Sequence, residues 1–179
     1  FPRRSQKGLI TVLAEPSLYE GDYGKAHLIG WRSKTINRVC RSTMQAETHA
    51  ALAGMESGTR IRARIADMRG LQDHENWEAS SKEVMKHLWL TDFSSLRQQL
   101  INPAAPPVED NRLETELDGL RQVLWEDQFG DPRDALEATD QDEFRWIDTS
   151  AMVADSLTKN MVCPRLAQLM ETGILNLEA

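Results

Sequence analysis

Three acidic residues occupy positions from which carboxylates could bind metal ions. Glu47 lies near the start of a predicted helix, Asp92 directly follows a predicted strand, and Asp155 lies in a predicted helix near the end of the chain. Hard divalent cations such as Mg²⁺ prefer oxygen ligands, and two such ions about 3.5–4 Å apart can promote phosphodiester cleavage. Carboxylates that are distant in sequence but converge in space would hold such a pair.

Each acid also has an ordinary structural explanation. An acid in the first turns of a helix, such as Glu47, is commonly a partner for the helix dipole. Asp92 is explained more simply as a turn residue than as a ligand at the carboxyl end of a strand, where open α/β sheets bind their ligands. Asp155 has apolar neighbours, among which a carboxylate is costly unless it is paired or bound to a metal.

The elements that must position these acids follow from hydrophobic periodicity and from capping and turn residues. Ser42 is predicted to cap a long helix, with Gln45 as its capping-box partner. The predicted elements are strands over 8–13 and 26–31, a helix over 43–69, a helix over 80–86, a strand over 87–91, helices over 96–101 and 113–124, a strand over 143–147, a helix around Asp155, and a short helix over 165–171. This order indicates an α/β fold that begins with an antiparallel hairpin.

A basic stretch lies between the predicted hairpin and the long helix. It carries four cationic side chains and no acid, which are Arg32, Lys34, Arg38 and Arg41. A solvated loop and a loop that contacts phosphates explain this composition equally well.

The net charge of −7 is unevenly distributed. Residues 103–143 contain thirteen acids and three bases, whereas the remainder contains fifteen acids and eighteen bases. We therefore predict a single domain over 1–179 with an acidic insertion at about 103–143, and a body compatible with nucleic-acid binding. Two cysteines, no signal peptide and no apolar run of membrane-spanning length predict an intracellular protein without a membrane partner.

Four segments, in order and spanning nearly the whole chain, carry a resemblance to a known family. They are Arg3 to Gly8 followed by a strand, similar to "RRSTSGY"; Trp31 to Lys34 with Arg41 to Glu47, similar to "W-S-K … S-S-T-E-A-E"; Leu90 to Leu96, similar to "T/C-D-x-x-S"; and Phe144 to Thr149 with Ala154 to Lys159, similar to "V-P-T … A-D-x-L-T-K". On these motifs the chain resembles the ribonuclease H domain of copia-type LTR retrotransposon polyproteins. The final segment is the most specific of the four.

The resemblance implies a ribonuclease H-like mixed sheet flanked by helices. It implies that Glu47, Asp92 and Asp155 are catalytic and bind two Mg²⁺ ions, with Mn²⁺ as a substitute. The substrate would be an RNA–DNA hybrid, and the reverse transcriptase portion of the same polyprotein would be a partner. The residues expected to contact nucleic acid are Arg32, Lys34, Arg38, Arg41, Thr43 and Gln45.

The chain also departs from the family pattern. The family's first catalytic Asp lies on a central strand just before the "RRS" stretch, so we expect a truncated domain that lacks this strand and is impaired in activity. Asp148 stands where the family has a proline. One alternative is therefore a non-catalytic remnant or domesticated module that binds nucleic acid or protein. Another is an α/β interaction module whose three acids lie far apart on the surface.

Overall fold

The structure is a computed structural model that describes residues 4–102, 105, 108–124, 142–159 and 161–178. The chain divides into two compact units. Unit 1 comprises residues 1–50, 90–94 and 146–179, and unit 2 comprises residues 51–89 and 95–145. Glu47, Asp92 and Asp155 all belong to unit 1.

Unit 1 contains a long antiparallel hairpin formed by β1 (Gln6–Ala14) and β2 (Tyr23–Thr35). The short helix α1 (Pro16–Glu20) connects the two strands and begins with a proline, whose fixed φ suits a first helical turn. The register pairs Lys7 with Lys34, and it shifts between Thr11 and Val12. A last strand, β5 (Ile174–Asn176), pairs antiparallel with the start of β2 and completes a three-stranded sheet in the order β1-β2-β5.

The core of unit 1 joins this sheet to the C-terminal part of the chain. Its buried members are Leu18, Ala26, Ile147, Ala151, Leu169, Leu175 and Leu177. Helix α6 (Pro164–Thr172) contributes Leu169 and ends at Gly173, whose φ of 67° is the left-handed conformation that favours glycine. Val12 and Leu90 pack against this core, which fixes the hairpin and the chain leading into Asp92 on the same apolar cluster.

The remaining described elements are four helices, two strands and two short 3-10 helices. They are α2 (Thr43–Met68), α3 (Trp77–Val84), β3 (Leu88–Thr91), α4 (Ser94–Ile101), α5 (Asn111–Leu124), β4 (Glu143–Trp146), and the 3-10 segments Thr149–Ala151 and Val153–Leu157. β3 and β4 form a small parallel sheet, with amide–carbonyl bonds from Glu143 to His87 and from Ile147 to Thr91.

Unit 2 buries the apolar faces of its helices. The leucines at three- and four-residue spacing on α5 are buried, and they are Leu113, Leu117, Leu120 and Leu124. Leu96 and Leu100 of α4 are likewise buried, and Arg121 of α5 donates to the main-chain oxygen of Gln99 at 2.8 Å. The predicted amphipathic helix is thus confirmed, because its single apolar stripe is the face that it buries.

A buried ion pair fastens three parts of unit 2. The guanidinium of Arg62 on α2 donates to both carboxylate oxygens of Asp142, at 2.7 and 2.9 Å. Asp142 also accepts from the main-chain amide of His87 at 3.0 Å. The His87 ring lies over Gly58 of α2 and 3.9 Å from the ring of Trp89. These contacts hold α2 against the chain segments that precede β3 and β4.

The mixed α/β class and most predicted elements are confirmed, but three predictions differ from the structure. Residues 32–35, predicted as loop, continue β2 because they pair with residues 6–9 of β1. The segment around Asp155, predicted as a helix, forms two 3-10 turns interrupted at Met152, which has an extended backbone. β5 was not predicted.

Two further predictions concern the acidic stretch and the membrane. The acidic insertion predicted over about 103–143 contains α5, but residues 125–141 lie outside the described residues. Among the helices that the structure describes, none is both long and apolar enough to cross a bilayer.

Candidate functional site

Glu47 is placed by a capped helix start. Ser42 Oγ accepts from the amide of Gln45 at 3.2 Å, and Gln45 Oε1 accepts from the amide of Arg41 at 2.9 Å. The first bond satisfies an amide of the first turn of α2, and the second ties the residue before the Ser42 cap to that turn, so together they fix where the helix begins. Glu47 follows two residues after Gln45 and is half-buried.

Asp92 lies between β3 and α4, on a backbone that is fixed on both sides. Thr91 Oγ1 accepts from the amide of Phe93 at 3.2 Å, and the indole nitrogen of Trp146 donates to the main-chain oxygen of Asp92 at 3.0 Å. The amide of Ile147 donates to the oxygen of Thr91 at 2.9 Å. The strand end that bears Asp92 is therefore tied directly to the end of β4.

Asp155 is carried by the 3-10 segment Val153–Leu157, which packs on the hairpin. A Cβ added at Gly8 of β1 would lie 2.8 Å from the main-chain oxygen of Ala154, so only glycine leaves room for this approach. Ser33 Oγ of β2 donates to the oxygen of Leu157 at 2.7 Å. Local hydroxyl bonds, including Ser156 to the oxygen of Val153 at 2.9 Å, favour the tight turn over a regular helix.

The three carboxylates act on one another electrostatically within unit 1. Burial raises the pKa of Glu47 above its usual value, and the negative charges of Asp92 and Asp155 raise this pKa further. A nearby negative charge disfavours the ionised form of a carboxyl group and so raises its pKa. Asp92 and Asp155 therefore lie close enough to Glu47 for their charges to act on it.

A lysine joins the three acids. Lys159 Nζ lies 2.5 Å from Asp155 Oδ2, and the side chain of Asp155 is only 13% exposed. The hydrogen bond to Asp155 is the main reason that the pKa of Lys159 lies above its usual value, and the charges of Asp92 and Glu47 add to it. Lys159 in turn lowers the pKa of Glu47. We call Glu47, Asp92, Asp155 and Lys159 the acid–lysine cluster.

The oxygen donors of this cluster suit a hard cation such as Mg²⁺ in type, but not in arrangement. Across residues 4–102, 105, 108–124, 142–159 and 161–178, no three His, Cys, Asp or Glu side chains are grouped so that they could hold a metal ion. One oxygen of Asp155 is instead taken by the ammonium of Lys159.

The cationic candidates lie at two places. Arg32 and Lys34 are exposed at alternate positions of β2, so they share one face of the hairpin. Lys7 of β1 is the cross-strand partner of Lys34 and shares that face, although sequence reasoning had not selected it. Arg38 and Arg41 lie in the exposed segment between β2 and α2.

The two polar candidates differ in accessibility. Thr43 is exposed at the first position of α2. Gln45 is only 8% exposed, and its side-chain oxygen already accepts from the amide of Arg41. Gln45 thus has a structural role at the helix start, whereas Thr43 is free to contact a ligand.

Sequence reasoning assigned no role to Lys159, although two signals were available. It stands four residues after Asp155, and it closes the most specific family-like motif. Lys7 could be selected only after the register of the hairpin placed it opposite Lys34.

Comparison of the chain with protein-family models, curated proteins and solved structures finds no match.

Proposed function

We propose that this chain is a ribonuclease H-type endonuclease domain of a copia-type retrotransposon polyprotein. Its substrate is an RNA–DNA hybrid, of which it hydrolyses the RNA strand, and it acts beside the reverse transcriptase portion of the same polyprotein. The observation that carries the proposal is the electrostatic coupling of Glu47, Asp92 and Asp155. Glu47 of a helix, Asp92 at a strand end and Asp155 of a late turn all lie in unit 1, and each stands at an acidic position of the family motifs.

The proposed metal ligands are the carboxylates of Glu47, Asp92 and Asp155, and the ions are Mg²⁺, replaceable by Mn²⁺. Divalent ions held by these residues would supply an activated water and stabilise the leaving oxygen. The chain itself supplies a fixed backbone for each acid: the capped start of α2, the anchored end of β3, and the 3-10 turn packed on Gly8. Such fixed placement is what makes electrostatic stabilisation effective.

The proposed contacts to the hybrid come from cations on the same unit as the acids. Lys34 and Arg32 point to one face of β2, and Lys7 lies opposite Lys34. Like charges directly across an antiparallel pair destabilise a hairpin, so phosphates that neutralise them would be bound favourably. Arg38, Arg41 and Thr43 add donors near the first turn of α2. Contacts to the 2′-hydroxyl would select RNA over DNA.

A second candidate function is binding of nucleic acid without cleavage. One observation favours it: within the described part of the chain the acids are not arranged as a metal-binding group. The two functions share the cationic surface and differ only in chemistry at the acid–lysine cluster, so one set of assays separates them.

The test is cleavage of an end-labelled RNA strand, offered in an RNA–DNA hybrid, as duplex RNA or as a DNA duplex, with Mg²⁺ or Mn²⁺. We expect weak cleavage, confined to the hybrid. Glu47→Gln and Asp92→Asn should each reduce the rate by about 100-fold or more, the usual loss when one charge-stabilising group is removed. Glu56→Gln is the matched control, because Glu56 lies on the same helix but pairs with Arg60 on the surface.

The outcomes are distinct. Hybrid binding without cleavage in either metal would replace the nuclease by the second candidate. Cleavage that survives Asp92→Asn would refute the assignment of the site. Absence of both binding and cleavage would reject both functions.

A further inference from the structure

β1 is an edge strand, because within the described residues its hydrogen-bonded neighbour in the sheet is β2 alone. Just before β1, the oxygen of Ser5 accepts from the amide of Ile36, and just after it, the amide of Glu15 donates to the oxygen of Lys25. The odd-numbered residues along β1 therefore face β2. Antiparallel pairing alternates along a strand, so the even-numbered residues turn their amides and oxygens to the free edge, and these are Gln6, Gly8, Ile10, Val12 and Ala14.

The free edge of β1 lacks the features that usually protect the edge of a sheet, which are charges, prolines and bulges. Lys7 is the one charged residue among the nine of β1, and the strand contains no proline. The register shift between Thr11 and Val12 places the extra residue, Ile29, on β2, so β1 itself continues unbroken. None of the nine residues is buried, although four have large apolar side chains. Such an edge is a template for a further strand.

The sequence of β1 suits pairing with a second copy of itself. Ile10 is the middle residue of the strand, and its main chain is turned to the free edge. An antiparallel pair centred on Ile10 sets Gly8 opposite Val12 and joins the outward-facing residues of the two copies as hydrogen-bonded pairs. Lys7 then lies opposite Leu13, so no like charges meet across the pair.

The same register covers an exposed aromatic side chain. Trp31 of β2 is the cross-strand partner of Ile10, and it is 70% exposed. Pairing centred on Ile10 would place the two Ile10 side chains next to each other, with a Trp31 beyond each of them on the same face. Aromatic and β-branched side chains stabilise a sheet when they are cross-strand neighbours.

We propose that the free edge of β1 is a self-association surface, at which β1 of a second copy pairs antiparallel about Ile10 to form a two-fold symmetric dimer with one continuous sheet. A two-fold interface uses the same surface on both copies, which a self-complementary strand provides. The inference goes beyond the proposed function and does not depend on the three acids. Lys7, Arg32 and Lys34 of both copies would lie on one side of the joined sheet.

The first test is amide hydrogen exchange of the full chain, followed by NMR at low and high protein concentration beside sedimentation velocity. As the dimer forms, the amides of Gly8, Ile10 and Val12 should exchange more slowly, by roughly tenfold or more. The amides of Leu9 and Thr11 are the internal control, because they face β2 and should be protected equally at both concentrations.

The second test places charges at the centre of the proposed pair. Ile10→Lys sets two ammonium groups opposite each other and should weaken dimerisation by roughly tenfold or more, as should Ile10→Glu. An equimolar mixture of the two variants should associate again, because opposite charges then meet. Ile10→Thr is the matched control, since it keeps a neutral β-branched residue and should still dimerise. If the charged variants do not fold, the exchange test on the wild type decides.

Several results would overturn the proposal. A monomer at every concentration would do so, whether the edge amides exchange freely or are always protected, and constant protection would mean that another segment of the chain covers the edge. A dimer that survives Ile10→Lys would use a different surface. Charged variants that stay monomeric when mixed would contradict the pairing about Ile10.

Discussion

At the scale of single residues, the Lys159–Asp155 pair and the Arg62–Asp142 pair show two ways to hold charge inside a protein. In unit 1, Asp155 is paired with the half-exposed ammonium of Lys159, whereas Asp142 of unit 2 is bound by the buried guanidinium of Arg62. One terminal guanidinium nitrogen of Arg62 donates to both carboxylate oxygens of Asp142, at 2.7 and 2.9 Å, and this buried pair is a structural link. A pair with a half-exposed lysine is a weaker link, because solvent screens its charge.

His87 makes stability depend on pH. Burial lowers the pKa of His87 to about 4; the charge of Asp142 raises it and that of Arg62 lowers it. The unfolded chain, with a histidine pKa near 6.5, binds the proton more readily. Stability from neutral His87 is therefore present above about pH 6.5 and lost as the pH falls towards 4, by about 3 kcal/mol at 1.4 kcal/mol per pKa unit.

His87→Phe isolates this contribution. The Nδ1 atom of His87 has no hydrogen-bond partner among the described residues, so a phenyl ring should preserve the contact with Trp89. We expect the free energy of unfolding, measured in urea at pH 7 and at pH 4, to fall by about 3 kcal/mol more in the wild type than in His87→Phe. Equal losses in the two proteins would show that His87 is accessible to protons in the folded state.

At the scale of elements, the packing of α2 on the chain before β3 depends on one glycine. A Cβ at Gly58 would lie 1.7 Å from His87 Cε1, a distance that cannot be accommodated without movement of the ring. Glycine inside a helix usually costs about 1 kcal/mol relative to alanine, so its use here is explained by the close approach of His87.

Gly58→Ala should therefore destabilise the protein by about 1–3 kcal/mol despite the better helix propensity of alanine. Gly119→Ala is the matched control, because Gly119 lies inside α5 and an added Cβ would meet nothing within 4 Å. Gly119→Ala should raise the free energy of unfolding by about 0.5–1 kcal/mol. Both are measured by chemical denaturation. Adding His87→Ala to Gly58→Ala should recover part of the loss, and strictly additive effects would contradict the contact.

At the scale of the whole molecule, local signals in the sequence were sufficient to predict the long helix, the leucine-rich helix and β3. Each has a strong period or a cap that acts within a few residues. The turn around Asp155 was not predicted, because its form depends on Gly8 and Ser33 of the hairpin, which are far away in sequence. The positions of the three acids were predicted from motifs, but the contact of Lys159 with Asp155 needed coordinates.

Register was the other limit of sequence reasoning. For residues 32–41, the sequence favoured a solvated loop and a phosphate-binding loop equally. Residues 32–35 are instead part of strand β2. Only the pairing of Lys7 with Lys34 shows that cations from two strands lie side by side. A one-residue change in register would move Lys7 to the other face, so composition alone could not select it.

Charge segregation should let this acidic chain bind nucleic acid in a salt-dependent way. The net charge is −7, yet Lys7, Arg32 and Lys34 share one face of the hairpin with no acid among their nearest strand neighbours. Affinity for an RNA–DNA hybrid, measured in EDTA by fluorescence anisotropy, should fall steeply with salt. The Lys7→Gln/Lys34→Gln double variant should bind RNA–DNA hybrids more weakly than the wild type, by a similar factor for hybrids of unrelated sequence. Its slope of log affinity against log salt should be shallower by about one per lost phosphate contact. Lys25→Gln, on the same strand but paired with Glu15, should leave the slope nearly unchanged. Equal slopes in the double variant and the wild type would mean that the hybrid does not lie on this face.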